Sequence, residues 1–127
     1  MDSLIRFGFT IEEINILMDT NEDISLVSDN EVNNVIELLK NNNCSIDTVK
    51  NIFICNPFTI TNSIIDTNKL IDKLKELGFK NINLLFDSNP YILNKSDKEL
   101  EKLYNKKQEE GLSKDEIIDF ISYNVIF

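Results

Sequence analysis

The sequence predicts an all-α solenoid of about three and a half helix-turn-helix units, wound in the right-handed sense and without any sheet. Glycines and prolines recur with a period of about 33 to 35 residues, and Ser or Thr caps and apolar stripes of helical spacing follow the same period. The recurring residues occupy two slots of the repeat and are Gly8, Gly78, Gly111, Pro57 and Pro90. A repeat of this length is one supersecondary unit that stacks on copies of itself.

The repeat divides the chain into units at about 8–42, 43–77 and 78–110, followed by a partial unit at 111–127. Residues 1–7 are predicted to be the end of a preceding second helix. Each unit is expected to contain a first helix, a bend with an apolar turn and a second helix. Because no Ser-, Gly- or Pro-rich linker interrupts the repeat, all of the chain, 1–127, is predicted to be a single domain.

The first helix of each unit is predicted to follow a tight corner. Glycine just past a helix adopts the left-handed conformation at low cost, and Thr10, Ser45 or Ser113 then caps the next helix. Glu13 and Glu116 lie three residues after their caps, as a capping box requires. The first helices are predicted at about 10–20, 45–55, 79–88 and 113–123, with core stripes Ile14, Leu17 and Met18, then Val49, Ile52 and Phe53, then Ile82, Leu85 and Phe86, then Ile117, Phe120 and Ile121.

The second helix of each unit is predicted to begin after the bend. Pro57 and Pro90 close the first helix, since proline lacks an amide hydrogen and disfavours helix in the residue before it. Ser28 and Ser96 are each followed three residues later by glutamate, which is the spacing of a capping box. The second helices are predicted at about 29–41, 66–77 and 97–110, with core stripes Val32, Val35, Ile36 and Leu39, then Leu70, Ile71 and Leu74, then Leu100, Leu103 and Tyr104.

Short motifs recur at fixed places in the repeat. They are Gly-Phe before a capped helix, Asn-Pro-aromatic-Ile-Leu, and a closing Lys-x-Leu-Gly-Phe, best seen at 74–79 and 88–93. This pattern resembles the repeat of the mitochondrial transcription termination factor (mTERF) family. Members of that family are helix-helix-3₁₀ solenoids that mostly bind nucleic acid through a basic concave groove, so the resemblance implies a 3₁₀ turn after Pro57 and Pro90. The sequence departs from the pattern in its charge and in its first unit, where Glu22 occupies the proline slot.

Charge is the strongest limit on the partner. The chain has 13 basic and 22 acidic side chains and a net charge of -9. Duplex-binding domains are basic, because neutralising phosphates supplies much of their affinity. Residues 1–43 are strongly acidic while residues 44–111 are balanced, so local attraction to phosphate is still open. We therefore predict a protein partner or self-association into a homo-oligomer.

The alternative is nucleic-acid binding through a lysine ladder on the second helices. Lysines one turn apart occur in equivalent slots of successive units, and stacking would align them so that they track phosphates. The same helices carry interleaved carboxylates, which favour a solvated amphipathic surface instead. The lysines of the ladder are Lys69, Lys73, Lys98, Lys102 and Lys106.

No residues point to catalysis, a cofactor, a metal ion or a small-molecule substrate. The chain has no histidine, so neither a Ser-His-Asp nor a Cys-His arrangement can form. Cys44 and Cys55 have no further cysteine or histidine to complete a zinc site, and Cys44 occupies a core slot. Paired carboxylates such as Glu12 and Glu13 lie in first turns, where capping and the helix dipole account for them. A non-enzymatic binding module is the resulting prediction.

The apolar end of the last partial unit is predicted to form an interface. An end repeat exposes half of its core, which then either folds back or docks on another chain. The residues expected at this interface are Ile121, Val125, Ile126 and Phe127.

The remaining features bear on compartment and source. The N-terminus has no signal-peptide pattern, and no run of residues is long and apolar enough for a membrane span. Together with two unpatterned cysteines, this predicts a cytoplasmic protein that does not contact a membrane. The high content of Asn, Ile, Lys and Asp is typical of AT-rich coding and predicts a bacterial source.

Overall fold

The computed structural model of the chain describes residues 2–124, and helices are the only regular elements in that range. They are α1 (Asp2–Phe7), α2 (Ile11–Thr20), α3 (Asp29–Asn41), α4 (Ile46–Cys55), α5 (Phe58–Thr61), α6 (Ile64–Glu76), α7 (Ile82–Ser88), α8 (Asp97–Glu109) and α9 (Lys114–Tyr123), with 3₁₀ turns at Glu22–Leu26 and Pro90–Asn94. None of them within residues 2–124 is long and apolar enough to cross a bilayer. The predicted all-α fold is confirmed, while the superhelix handedness and the unit boundaries stay predictions.

The helices form two rows along the repeat. The first helices α2, α4, α7 and α9 pack against one another in chain order, and α1, α3, α6 and α8 form a second row in the same way. A continuous apolar core lies between the rows and contains the predicted stripes. Met18, Leu103 and Phe120 are only half-buried, because the described part of each row gives its end helices a neighbour on one side only.

The corners between units are built as predicted, with one residue other than glycine in the glycine slot. Gly8, Gly78 and Gly111 have positive φ angles of 119°, 102° and 92°, and Asn43 takes the same slot with φ of 68°. In each corner the residue after this slot donates its N–H to a carbonyl five residues earlier, as Phe79 does to Leu74 at 3.0 Å. This is the hydrogen bond of a Schellman motif, which ends a helix through a left-handed residue.

The bends differ partly from the expectation that a 3₁₀ turn follows each proline. The turn after Pro90 is 3₁₀, as the resemblance implied. The bend after Pro57 is a single α-helical turn instead, because the Asn62 N–H donates to the Phe58 carbonyl at 2.8 Å and closes an α-type ring. The first unit forms its 3₁₀ turn at Glu22–Leu26 without any proline.

Two helix boundaries differ from prediction because the capping residues differ. Ser63 caps α6, so this helix begins two residues before the predicted position 66. Asn81 caps α7 through its side chain, so that helix begins at Ile82 instead of residue 79. Both side chains accept a hydrogen bond from the third backbone N–H of their helix, which is the ordinary capping arrangement.

Three of the four predicted capping boxes are complete. They pair Thr10 with Glu13, Ser96 with Glu99 and Ser113 with Glu116. At the fourth, the Ser28 hydroxyl accepts from the Glu31 N–H as expected, but the Glu31 carboxylate accepts from the Ser28 hydroxyl and not from its backbone. This box is therefore half formed.

Buried asparagines join consecutive units at the ends of the first helices. Asn21, Asn56 and Asn89 are almost fully buried there. Their side-chain amides donate to Thr61 Oγ1 at 2.9 Å, to the Pro90 carbonyl at 3.1 Å and to the Ile121 carbonyl at 2.9 Å, respectively. Each amide thereby ties one unit to the next, and burial of its N–H group is offset by a hydrogen bond between units.

Candidate binding faces

The second helices present a mixed-charge surface, here called the second-helix face. Its exposed side chains include Asn34, Ile65, Lys69, Asp72, Lys98, Glu101, Lys102, Asn105, Lys106 and Glu109. Four of the five predicted ladder lysines are thus exposed on one surface. Within the described part of the chain, none of these four forms an ion pair.

Lys73 differs from the other ladder lysines because its ammonium group is held by carboxylates. Its Nζ lies 3.2 Å from Glu76 Oε2 on α6 and 3.4 Å from Glu101 Oε2 on α8, and its side chain is 17% exposed. The hydrogen bond to Glu76, followed by that to Glu101, raises the pKa of Lys73. The lysine therefore links two second helices and is not free to contact phosphate.

The ladder is short because it is concentrated on one helix. Lys98, Lys102 and Lys106 recur every four residues along α8 and so lie on one side of it. They line a shallow hollow, and Glu101, Asn105 and Glu109 line it too. In the first unit, Asn34 occupies the slot that Lys69 and Lys102 hold in later units, so the positive stripe does not extend along the whole solenoid.

The first helices present a different surface, here called the first-helix face. Its exposed side chains include Ile11, Glu12, Ile16, Asp19, Ile46, Asp47, Leu84, Asp87, Asp115 and Asp119. The face combines carboxylates with aliphatic side chains, of which Ile16 is 54% and Leu84 is 49% exposed. Sequence reasoning missed this face, although Ile16 and Leu84 lie off the core stripes and could have signalled it.

The two lysines of the first helices are turned to the corners between units. Lys50 Nζ donates to the Gly8 carbonyl at 3.1 Å, lies 3.7 Å from Glu13 Oε1 and sits 5.4 Å from the centre of the Phe9 ring. The Lys114 side chain covers Gly78, where an added Cβ atom would overlap it. Neither ammonium group neutralises the exposed carboxylates of the face within the described residues.

The prediction of an interface at the end of the chain is corrected at one position, Ile121. Ile121 is fully buried in the core of its own chain, because it continues the stripe of first-helix residues that face the second row. It therefore does not face a partner. Val125, Ile126 and Phe127 lie outside the described residues.

A lysine covers the core where α8 meets α9. Lys107 occupies the slot that Leu39 and Leu74 hold in earlier units. Its Nζ lies 4.4 Å from the centre of the Phe120 ring and 3.1 Å from Glu110 Oε2. The aliphatic stem can then shield apolar surface while the ammonium group contacts the ring and the carboxylate.

Three carboxylates and one thiol with shifted pKa values have structural roles. Backbone hydrogen bonds from the capping residues lower the pKa of Glu13, Glu99 and Glu116, which keeps these groups ionised as caps. Burial raises the pKa of the Cys44 thiol to about 11, so that sulfur is poorly suited to nucleophilic attack. Residues 2–124 contain no group of three or more side chains placed to hold a metal ion.

A family model described as mTERF matches residues 1–124. The chain belongs to the mTERF family. No curated protein and no solved structure matches it. As an mTERF protein it is a helical-repeat binding module, a type of protein that typically binds nucleic acid.

Within the mTERF architecture, the two faces of this chain have different electrostatic character. The second-helix face carries lysines among carboxylates, whereas the exposed charges of α2, α4, α7 and α9 are predominantly acidic. A phosphate backbone would be repelled by the first-helix face and attracted only locally by the second-helix face.

Proposed function

We propose that this mTERF protein is a binding module whose partner is another protein. The observation that carries the proposal is the state of the lysine ladder, in which Lys73 is held between Glu76 and Glu101. The remaining exposed lysines cover little more than one helix. Duplex binding draws its affinity from many neutralised phosphates, and a short stripe on a chain of net charge -9 supplies few of them.

The proposal includes the absence of enzymatic activity and a cytoplasmic location. The chain has no histidine, and the carboxylates of Glu13, Glu99 and Glu116, whose pKa values are lowered, are engaged in capping boxes. We propose no cofactor and no small-molecule substrate. The free thiols of Cys44 and Cys55 suit a reducing compartment.

Nucleic-acid binding is the second candidate function. Exposed Lys98, Lys102 and Lys106 on α8, with Lys69 on α6, favour it, since none of them is neutralised by an ion pair in the described part of the chain. Membership of the mTERF family favours it as well. On this alternative, the phosphates of a strand would contact α8 and the adjoining part of α6.

Anisotropy of a labelled duplex and a labelled single strand separates the two candidates. We expect no submicromolar affinity for either at about 0.15 M salt. Any weak binding at low salt should fall on combined replacement of Lys69, Lys98, Lys102 and Lys106 by alanine and stay nearly unchanged in the control Lys40→Ala. Submicromolar binding that weakens with salt would instead favour nucleic acid. It would establish this candidate if the combined variant, but not Lys40→Ala, reduced the slope of log affinity against log salt concentration.

Self-association through the end of the chain stays a proposal. It concerns Val125, Ile126 and Phe127, and Tyr123 just before them is 64% exposed. Replacing Ile126 and Phe127 by serine should convert any dimer seen by light scattering to monomer and leave the helical signal unchanged. A wild-type chain that is monomeric at all concentrations would rule this mode out.

A further inference from the structure

We infer that the first-helix face docks a basic amphipathic segment of the partner protein, with aliphatic side chains of that segment packed on Ile16 and Leu84. The inference rests on the proposed function and adds to it the surface and the chemistry of the partner. It starts from apolar side chains that the fold leaves about half exposed.

The aliphatic side chains of the first helices are exposed at points where the solenoid has no structural use for them. Ile16 and Leu84 are 54% and 49% exposed, and they lie on the side of α2 and α7 opposite the core stripes. Ile11 and Ile46 occupy equivalent slots directly after their caps and are 69% and 57% exposed. Ile16 and Leu84 occupy one equivalent slot of their units, and exposed aliphatic groups that recur in one slot of a solenoid are typical of a contact site.

The charge around these side chains specifies the partner. Glu12, Asp19, Asp47, Asp115 and Asp119 are exposed on the same helices, and none forms an ion pair within the described residues. The lysines of these helices, Lys50 and Lys114, are committed to the corners at Gly8 and Gly78. Uncompensated carboxylates beside aliphatic groups are complementary to lysine or arginine beside aliphatic groups.

The spacing of the anchors suits a helical or extended segment. Helices α2, α4 and α7 pack in sequence, and packed helices lie about 8 to 10 Å apart. Ile16 and Leu84 are therefore separated by about 16 to 20 Å, which about 12 residues of an α-helix span. A single amphipathic segment can contact both anchors and the carboxylates between them.

The same charges disfavour the other occupants. A second copy of this chain would bring one acidic face against another, and like charges repel across a desolvated contact. Nucleic acid is repelled for the same reason. A basic polypeptide is the class that gains attraction from the carboxylates and burial from the aliphatic groups.

A synthetic peptide of leucine and lysine tests the inference. It is about 18 residues long, with leucines at helical spacing, and a second peptide replaces every leucine by serine at unchanged charge. We expect the leucine peptide to bind the wild-type chain at about 0.15 M salt and the serine peptide to bind at least about tenfold more weakly.

Variants then locate the site. The double variant Ile16→Ser and Leu84→Ser should bind the leucine peptide at least about tenfold more weakly, with an unchanged circular dichroism spectrum. The matched control is Leu26→Ser with Ile65→Ser, whose wild-type side chains are 82% and 66% exposed away from this face; it should bind like wild type. Replacing Asp19, Asp47 and Asp119 by asparagine should reduce the salt dependence of binding.

The outcomes separate this inference from the proposed function. An equal loss of peptide affinity in the double variant and its control, or a loss in the control alone, would show that the first-helix face is not the docking site. Protein binding would then be assigned to another surface. Failure of the leucine peptide to bind wild type would overturn the basic amphipathic class of partner. Tight, lysine-dependent binding of nucleic acid would instead overturn the proposed function itself.

Discussion

At the scale of the single residue, buried asparagines hold consecutive units together. Asn89 is fully buried, and its amide donates to the carbonyls of Ile121 and Asn124 at 2.9 and 3.0 Å. The carbonyl group of Ile121 in α9 and that of Asn124 just after this helix thus accept hydrogen bonds from one side chain of the preceding unit. A buried carbonyl that loses its donor carries its desolvation cost without compensation.

Replacing Asn89 by alanine should lower the free energy of unfolding by about 1 to 3 kcal/mol. The loss is kept moderate because Asn89 Oδ1 accepts no hydrogen bond among the described residues, so its removal relieves one unsatisfied atom. Urea unfolding followed by circular dichroism measures the effect. The control Asn105→Ala, on an exposed position of α8, should change stability by less than about 0.5 kcal/mol, and an equal effect of the two would contradict this role for Asn89.

Gly78→Val should destabilise the chain by more than about 1 kcal/mol, because a branched side chain is strained at the positive φ of 102°. The overlap with the Lys114 side chain adds little, since the flexible end of a lysine moves aside. Unfolding in urea again gives the value. Asn43→Gly is the matched control in the equivalent corner, where φ is 68°. Its free energy of unfolding should lie within about 0.5 kcal/mol of the wild-type value. A negligible loss of stability in Gly78→Val would show that the corner can adopt another backbone conformation.

At the scale of the element, capping boxes make helix stability depend on pH. The pKa values of Glu13, Glu99 and Glu116 are lowered from 4.5, first by the backbone hydrogen bonds of their caps. A carboxyl with a lowered pKa in the folded state contributes stability above its unfolded pKa and loses it as pH falls through its folded value. The contribution should therefore be complete at neutral pH, begin to fall as the pH approaches the ordinary value of 4.5, and be lost as the pH falls through the lowered pKa values.

Replacing these three glutamates together by glutamine should reduce the loss of stability on acidification. Glutamine can still accept the capping hydrogen bond but does not titrate across this range. Comparing urea midpoints at neutral and acidic pH gives the pH dependence of each chain. The same replacements at Glu12, Glu22 and Glu37, for which no capping box forms, serve as the control, and equal flattening by both sets would contradict the role of the boxes.

The elements that local chemistry specifies were predictable from the sequence. Glycine corners, serine caps and apolar stripes depend on neighbours within a few residues. The bend after Pro57 and the first residues of α6 and α7 could not be predicted in this way. They depend on which of several nearby residues, each able to cap a helix or close a turn, does so in the folded chain. The asparagine contacts between units escaped prediction since they join groups about one repeat apart, although their slot was visible as a periodic landmark.

At the scale of the whole molecule, the stacking of successive units decides which charged side chains remain free to contact a partner. Four of the five ladder lysines are exposed, but the engagement of Lys73 by Glu101 requires knowing that α6 and α8 are neighbours. The burial of Ile121 likewise follows from the position of α9 against the core. Only the assembled repeat shows that the first helices form an acidic and aliphatic surface opposed in character to the lysine-bearing surface of the second helices.

Amide chemical-shift mapping on the ¹⁵N-labelled chain tests the distinction between the two faces most directly. The leucine and lysine peptide should shift amides of α2, α4 and α7 near Ile16 and Leu84, and a DNA duplex at about 0.15 M salt should leave α6 and α8 unchanged. Shifts that the duplex induces around Lys69, Lys98, Lys102 and Lys106, with no response of the first helices to the peptide, would contradict the account.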